Sequence, residues 1–235
     1  MKKQKYIRFL APAYILVIGL FLFMAYAGSQ AVTTLSESAG VSHRKTIIID
    51  PGHGGEDGGA VSCTGIPESR FNLEISLRLN DLLHLMGYKT VMLRTEDISI
   101  YTEGSTLAAK KVSDLKQRVK LVNEEDDALL VSIHQNMFSD SKYNGAQVFY
   151  ANTESSKALA VALQQQFVTS LNPQSNRKAK KSDGVYLMEH INKDGILVEC
   201  GFLSNYEEEC KLRDKDYQNK ICCVIATVLS RHLTA

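Results

Sequence analysis

Residues 47–60 read IIIDPGHGGEDGGA. Three isoleucines run into an Asp-Pro turn and then into a loop crowded with glycine. An apolar run without polar alternation suits a strand buried on both faces of a parallel or mixed sheet. A strand that empties into a Gly-rich loop often cradles phosphate, yet this loop carries His53 in its middle and two carboxylates, Glu56 and Asp57, behind it. Spacing argues against phosphate. A dinucleotide fingerprint needs G-x-G-x-x-G opening a helix; Gly52 and Gly54 fit, but the third position is Asp57. No Gly-Lys-Ser/Thr follows for a Walker loop, and acidic side chains beside the glycines would repel a phosphate.

The pattern continues outward from this strand. Thr46–Asp50, Lys89–Leu93, Ala128–Ile133, Ala146–Tyr150 and Ile196–Glu199 read as strands rich in Ile, Val and Leu. Between them, Glu68–Met86 repeats leucines at helical spacing and stops at Gly87, a helix C-cap. Ser113–Asn123, Glu154–Leu171 and Lys215–Leu233 read as further helices. The expected fold is α/β, a mixed and largely parallel sheet with helices on both faces, in a single domain over residues 45–235. Ligands in such domains gather outside the carboxyl ends of the strands.

The first residues bear on the compartment. Lys2, Lys3, Lys5 and Arg8 precede an uncharged apolar run of 19 residues, Phe9 to Ala27. This reads as an exported chain whose residues 1–27 are a signal peptide or a membrane anchor, with cytoplasmic N-terminus. Residues 28–44, rich in Ser, Thr and Gly, read as a linker. Of the chain's 27 basic residues, 23 remain once the four of the leading segment are set aside, against 26 acidic ones. That slightly acidic balance disfavours nucleic acid as a partner. Five cysteines at irregular spacing form no metal knuckle and read mostly as small buried apolar residues, with a Cys210 bridge to Cys222 or Cys223 left open.

Three groups fall at the predicted strand ends: His53 after the first, His134 ending VSIHQN and Glu199 ending ILVE. Glu68, behind Pro67, opens the first long helix. Two imidazoles and a carboxylate make a three-donor set typical of catalytic zinc, with a fourth position open. A second carboxylate is then needed as general base, passing a proton from water to the leaving nitrogen. The bland readings stand beside this one. Histidines are more often hydrogen-bonded structural residues than ligands, and a Glu at a helix start serves the macrodipole. A carboxylate ending a buried strand is costly without a partner, which makes Glu199 harder to dismiss. His43, His84, His190 and His232 lie in a tether, an apolar helix, a polar loop and a helix end, and are set aside as ligands.

The set resembles the zinc-dependent N-acetylmuramoyl-L-alanine amidases of the amidase-3 group, over residues 45–233. The pieces appear in order: IDPGHGG at 49–55, ESRFNL at 68–73, LRTED at 93–97, LKQRVKLVN at 115–123, SIHQN at 132–136 and LVECGFLSN at 197–205. The resemblance implies one zinc ion on His53, Glu68 and His134, with Glu199 as the catalytic carboxylate. It also implies hydrolysis of the amide between N-acetylmuramic acid and L-alanine in peptidoglycan. The short, anchored form without wall-binding repeats is similar to the amidases of spore formers. That likeness implies action on the spore cortex, where peptides are stripped so that muramic-δ-lactam can form for germination.

Asn72, one helical turn after Glu68, is expected to support the ligand or the substrate, against an equal reading as a solvent-facing residue. Asn136 shares strand parity with His134 and is expected to hold substrate, while Gln135 should face the other way. Arg94 and Arg118 read as structural ion-pair partners away from the site, with Asp97 or another acid. The glycines of the loop are expected to leave space for a bulky glycan-peptide, and Glu56 and Asp57 stay undecided. The 64 residues between His134 and Glu199 are filled by ordinary elements, with no insertion to plug the site. Restraint by timing, location or an exported accessory protein is the expectation. Competing readings are a cysteine peptidase using Cys63, another zinc hydrolase of the wall such as a deacetylase or carboxypeptidase, and a zinc-stabilised membrane scaffold.

Overall fold

The computed structural model describes residues 45–234. The expected signal or anchor segment 1–27 and the expected linker 28–44 lie outside the described residues. Among the described residues no helix is long and apolar enough to cross a membrane.

Six strands form one sheet: β1 (Thr46–Pro51), β2 (Thr90–Met92), β3 (Ala128–Asn136), β4 (Gln147–Tyr150), β5 (Lys180–Lys181) and β6 (Asp194–Phe202). Their order across the sheet is β2-β1-β3-β6-β4-β5. The pairs β2/β1, β1/β3 and β3/β6 are parallel, and β4 runs antiparallel to β6. The sheet is therefore mixed and largely parallel, as its uninterrupted apolar runs require. β1 is buried along its whole length.

Helices cover both faces. α1 (Glu68–Leu85), α3 (Glu154–Ser170) and α6 (Lys215–Thr234) pack over the larger core, where Ile47, Ile49, Val131, Ile133 and Val198 point. α2 (Leu107–Glu124) and the short α4 (Tyr186–His190) cover the smaller one, with Ile48, Leu130 and Leu197. Fully burying each of these aliphatic side chains contributes about 1.5–3 kcal/mol. α5 (Tyr206–Arg213) completes the elements beside β6. α1 ends as its glycine predicts: Gly87 has φ +85°, its N–H donates to the His84 carbonyl, and Tyr88 N–H donates to that of Leu83.

Three differences from the sequence reading bear on the site. β3 and β6 run three residues past Ile133 and Glu199, so His134 and Glu199 lie within strands rather than at their ends. α2 starts six residues before the expected Ser113, because the Thr106 hydroxyl accepts from Ala109 N–H and caps the helix. The short elements β5, α4 and α5 carry too few residues to show a period.

Candidate metal centre and active site

Asp50, His134 and Glu199 sit on the smaller-core face, near the carboxyl ends of β1, β3 and β6. Their parity is that of Ile48, Leu130 and Leu197. His134 and Glu199 are direct partners in the β3/β6 register. His53 stands two residues beyond β1 with φ +59°, a left-handed backbone unusual outside glycine. Glu68 reaches in from the first residue of α1. Its N–H donates to the Ala60 carbonyl, and that of Ser69 to Gly58, so the loop itself caps the helix.

These residues converge. One ligand atom from each of His53, Glu68 and His134 lies within 4.8 Å of the others. His53 Nε2 is 3.3 Å from Glu68 Oε2, and His134 Nδ1 is 3.0 Å from Glu68 Oε1. The Glu68 carboxylate is buried and held from behind. Ala60 N–H donates to Oε2 at 3.1 Å, while Gln135 N–H and Asn72 Nδ2 donate to Oε1 at 3.1 and 3.2 Å. Burial opposes ionisation of Glu68, but hydrogen bonds from His134 and His53 outweigh it and hold the carboxyl well below its ordinary range. Burial likewise opposes a charge on His53, but Glu68 and Asp57 raise its imidazole to about 9. The cluster thus calls for positive charge at its centre, and a divalent cation on two imidazoles and a carboxylate meets that demand. The donor set fits the metal that the sequence implies.

Glu199 differs in kind. Its Oε2 is buried and has no hydrogen-bond partner. Burial pushes its carboxyl up to about 7, with the Glu68 carboxylate adding to the rise and the His134 and His53 charges opposing it. A cavity of about 400 Å³ opens in front of it, lined also by His53, Asp57, Lys111, Arg118 and His134. A carboxyl poised near neutrality over a cavity suits proton transfer.

Two glycines make the convergence possible. A Cβ on Gly52 would stand 2.2 Å from the His134 ring, and one on Gly59 2.7 Å from both Glu68 Oε2 and the His53 ring. The expectation that the loop glycines leave space for substrate is thus refined: these two make room for the site's own side chains.

Asn72 is fully buried, and besides Glu68 its Nδ2 donates to the Gly52 carbonyl at 3.1 Å. The solvent-facing alternative does not hold. Gln135 turns to the other face, where its Nε2 donates to Asn72 Oδ1 at 3.3 Å. Asn136 is half-buried beyond a register shift that separates it from His134, and it does not line the cavity. Parity counting fails across such an irregularity.

Arg94 and Arg118 are not remote from the site. Arg94 donates to the carbonyls of Pro51, Gly52 and Ser69 at 2.9–3.0 Å. Arg118 donates to those of Pro51 and His53 at 3.0 and 2.8 Å, and is paired with Asp50 and Asp114. Both are buried and brace the turn that carries His53. Asp57, undecided from sequence, places its Oδ2 3.0 Å from His53 Nδ1. Glu56 instead pairs with Lys110 at 2.6 Å on the exposed side. His84, His190 and His232 contact Thr90, Tyr186 and Ser155 and stay outside the cluster.

Cys63 is exposed, and burial and the Glu209 carboxylate push its thiol up, the opposite of nucleophile activation. All five cysteines are free, so the Cys210 bridge is not formed.

Comparison with known proteins agrees with this geometry. The chain is 37% identical to the germination-specific N-acetylmuramoyl-L-alanine amidase of Bacillus subtilis (strain 168) over 235 residues, covering 99% of this chain and 96% of that one. Among solved structures it is similar to the CwlD amidase from Clostridioides difficile in complex with the GerS lipoprotein. The TM-score is 0.78 at 37% identity, covering 81% of this chain and 98% of that chain. It is also similar to the N-acetylmuramoyl-L-alanine amidase from Clostridium difficile 630, with a TM-score of 0.70 at 31% identity, covering 81% and 97%. Residues 47–231 match the Amidase_3 family, described as N-acetylmuramoyl-L-alanine amidase, and the chain belongs to that family.

Proposed function

We propose that this amidase holds one zinc ion on His53, Glu68 and His134 and uses Glu199 to move the proton in hydrolysis of the muramoyl–L-alanine amide. The observation that carries this is Glu199 itself. Its Oε2 is buried without a hydrogen-bond partner, the residue stands in register with His134, and its carboxyl, raised to about 7, faces the cavity. Zinc held there would supply Lewis-acid polarisation and a lowered water pKa. Glu199, ionised, accepts a proton from the attacking water and delivers it to the departing L-alanine nitrogen. Arg94 and Arg118 keep the His53 turn rigid while substrate enters. Asn136, two residues past His134 and outside the cavity lining, is kept for a part of the substrate peptide that extends beyond the cavity.

The target we assign is spore-cortex peptidoglycan, in a role that serves germination. The B. subtilis relative is named germination-specific, and it aligns along nearly its full length. The leading basic and apolar segment supports an exported chain, membrane-anchored or cleaved, in the spore envelope. The C. difficile relative was solved in complex with a lipoprotein, which supports an exported accessory partner here. Among the described residues, β4, α3, β5 and α4 fill the span between His134 and Glu199.

The test is digestion of cortex peptidoglycan by wild type and by Glu199→Gln. Wild type should release peptides with a free L-alanine amine, and the variant should hold zinc with hydrolysis lost. Release of acetate or D-alanine would point to deacetylase or carboxypeptidase chemistry. Cortex from cells lacking the protein should contain no muramic-δ-lactam.

A further inference from the structure

Of the two imidazoles in the cluster, only His53 has a carboxylate on its second nitrogen. His134 presents Nδ1 to Glu68, and the opposite edge of its ring lies against Gly52, close enough that a Cβ there would clash. His134 also belongs to a strand bonded on both sides, which fixes the backbone beneath its ring. The His53 ring lies against Gly59 in the same way, but His53 has no strand beneath it. It stands in a loop, with a left-handed backbone, and its Nε2 faces Glu68.

We infer that Asp57 is the positioning residue of the metal centre, fixing the ring and tautomer of His53 so that Nε2 stays aimed at the cation. This rests on the metal reading above. Asp57 is itself pinned on several sides. Its backbone exchanges hydrogen bonds with Gly54 at 2.8 and 3.2 Å. Its Oδ1 takes Lys111 Nζ at 2.7 Å and the Gly59 N–H at 3.3 Å, leaving Oδ2 for His53 Nδ1 at 3.0 Å. An Nδ1–H donated to Asp57 leaves Nε2 as the lone-pair nitrogen, which is the form a metal ligand needs. Lys111 comes from α2, so the first histidine of the site is set by a helix remote from it in sequence.

Glu56 is a built-in control. It is the adjacent residue, carries the same charge and pairs with the adjacent lysine, Lys110, at 2.6 Å, but among the described contacts it does not touch His53. Any effect of loop charge alone is shared by the two carboxylates; an effect of ring orientation belongs to Asp57.

The experiment measures zinc(II) affinity of the full chain by competition with a chromophoric chelator, for wild type, Asp57→Ala, Asp57→Asn and Glu56→Ala. Asp57→Ala should weaken binding about 10–100-fold. Asp57→Asn, whose amide oxygen still accepts from Nδ1–H, should fall between it and wild type. Glu56→Ala should stay within about 3-fold of wild type. Equal losses for Asp57→Ala and Glu56→Ala would reduce the effect to net charge and overturn the inference, as would unchanged affinity in both Asp57 variants. A wild-type chain that takes up no zinc would instead sink the metal reading itself, so the two failures are distinguishable.

Discussion

His134 and Glu199 face each other across the parallel β3/β6 pair, one to one in register. Adjacent parallel strands lie about 4.8 Å apart, so the two side chains rise side by side from the same face of the sheet. The sheet sets the spacing between a proposed ligand and the proposed base, and no loop intervenes. The same placement buries Glu199 Oε2 without a partner, and that has consequences for stability as well as catalysis.

Glu199→Gln should lose hydrolysis and yet make the metal-free protein more stable at alkaline pH. A carboxyl raised to about 7 in the folded chain contributes stability below its ordinary range near 4.5, and loses it as pH climbs through 7. The charge forced into the site above that pH costs on the order of 3 kcal/mol. Thermal unfolding of the metal-free proteins between pH 4 and 9 checks this. Wild type should fall in stability across pH 4.5–7 and the variant should not; parallel curves would count against the burial argument.

The pH–rate profile gives a second test of the same group. A base must be ionised to accept a proton, so kcat/KM should fall about tenfold per pH unit below the Glu199 value. Burial holds that value up, and a bound dication pulls it down. The acid limb should therefore lie above the ordinary carboxylate range and no higher than about 7. A limb at the ordinary carboxylate value, near 4.5, would mean that the carboxyl is hydrated during turnover.

Gly52→Ala should remove metal binding and activity together, because its methyl would occupy the place of the His134 ring. Gly58→Ala, in the same loop, meets only Pro67 Cβ, at 3.2 Å, and should retain the metal. Metal content of the purified proteins separates the two. Equal retention in both would show that the loop yields where the close packing says it cannot.

The strands, the larger helices and the four central side chains are legible because each announces itself locally. Ile47–Ile49 can only be a buried strand, and Glu199 ending an apolar run has no inexpensive explanation as a structural residue. What stays hidden depends on pairs distant in sequence. Arg118 reads as remote because its helix lies 65 residues from His53, yet its guanidinium grips the His53 carbonyl. Asp57 is undecided from sequence because its partner, Lys111, sits at the start of a helix whose N-terminal turn the sequence does not reveal. Asn136 is placed by parity, and a register shift between positions 134 and 136 breaks parity without leaving a trace in residue type.

Arg118→Leu should destabilise the chain by about 3–5 kcal/mol, because it leaves Asp50 buried beside an apolar group. Burial pushes the Asp50 carboxyl up, but Arg118 first, then Ser132 and the His134 charge, outweigh it and hold the carboxyl below its ordinary value. A lowered carboxyl contributes stability that is present above about pH 3.9 and is lost as pH falls through its folded value. Wild type should therefore show an acid transition below pH 4 to which this pair contributes. Asp50→Asn should flatten that transition while lowering stability at neutral pH. Denaturant unfolding at pH 7 and at pH 3 checks both; wild-type stability in the Arg118→Leu variant would show that the pair braces nothing.

Chelators and thiol reagents should act on this enzyme in opposite ways. Removing the metal leaves Glu68 facing two imidazoles with no cation between them, so activity should vanish and the melting temperature should fall, both recovering on addition of zinc. Alkylation of Cys63 should leave hydrolysis intact. Its thiol is exposed, is pushed up rather than activated, and does not line the cavity around Glu199. Cys200 and Cys222 are buried in the larger core and shielded from reagent in the folded chain. Measuring activity after each treatment decides between metal and thiol chemistry at one bench. Chelator-resistant activity abolished by a thiol reagent, and lost in Cys63→Ser, would reverse the assignment, because no group near Glu199 could then account for the catalysis.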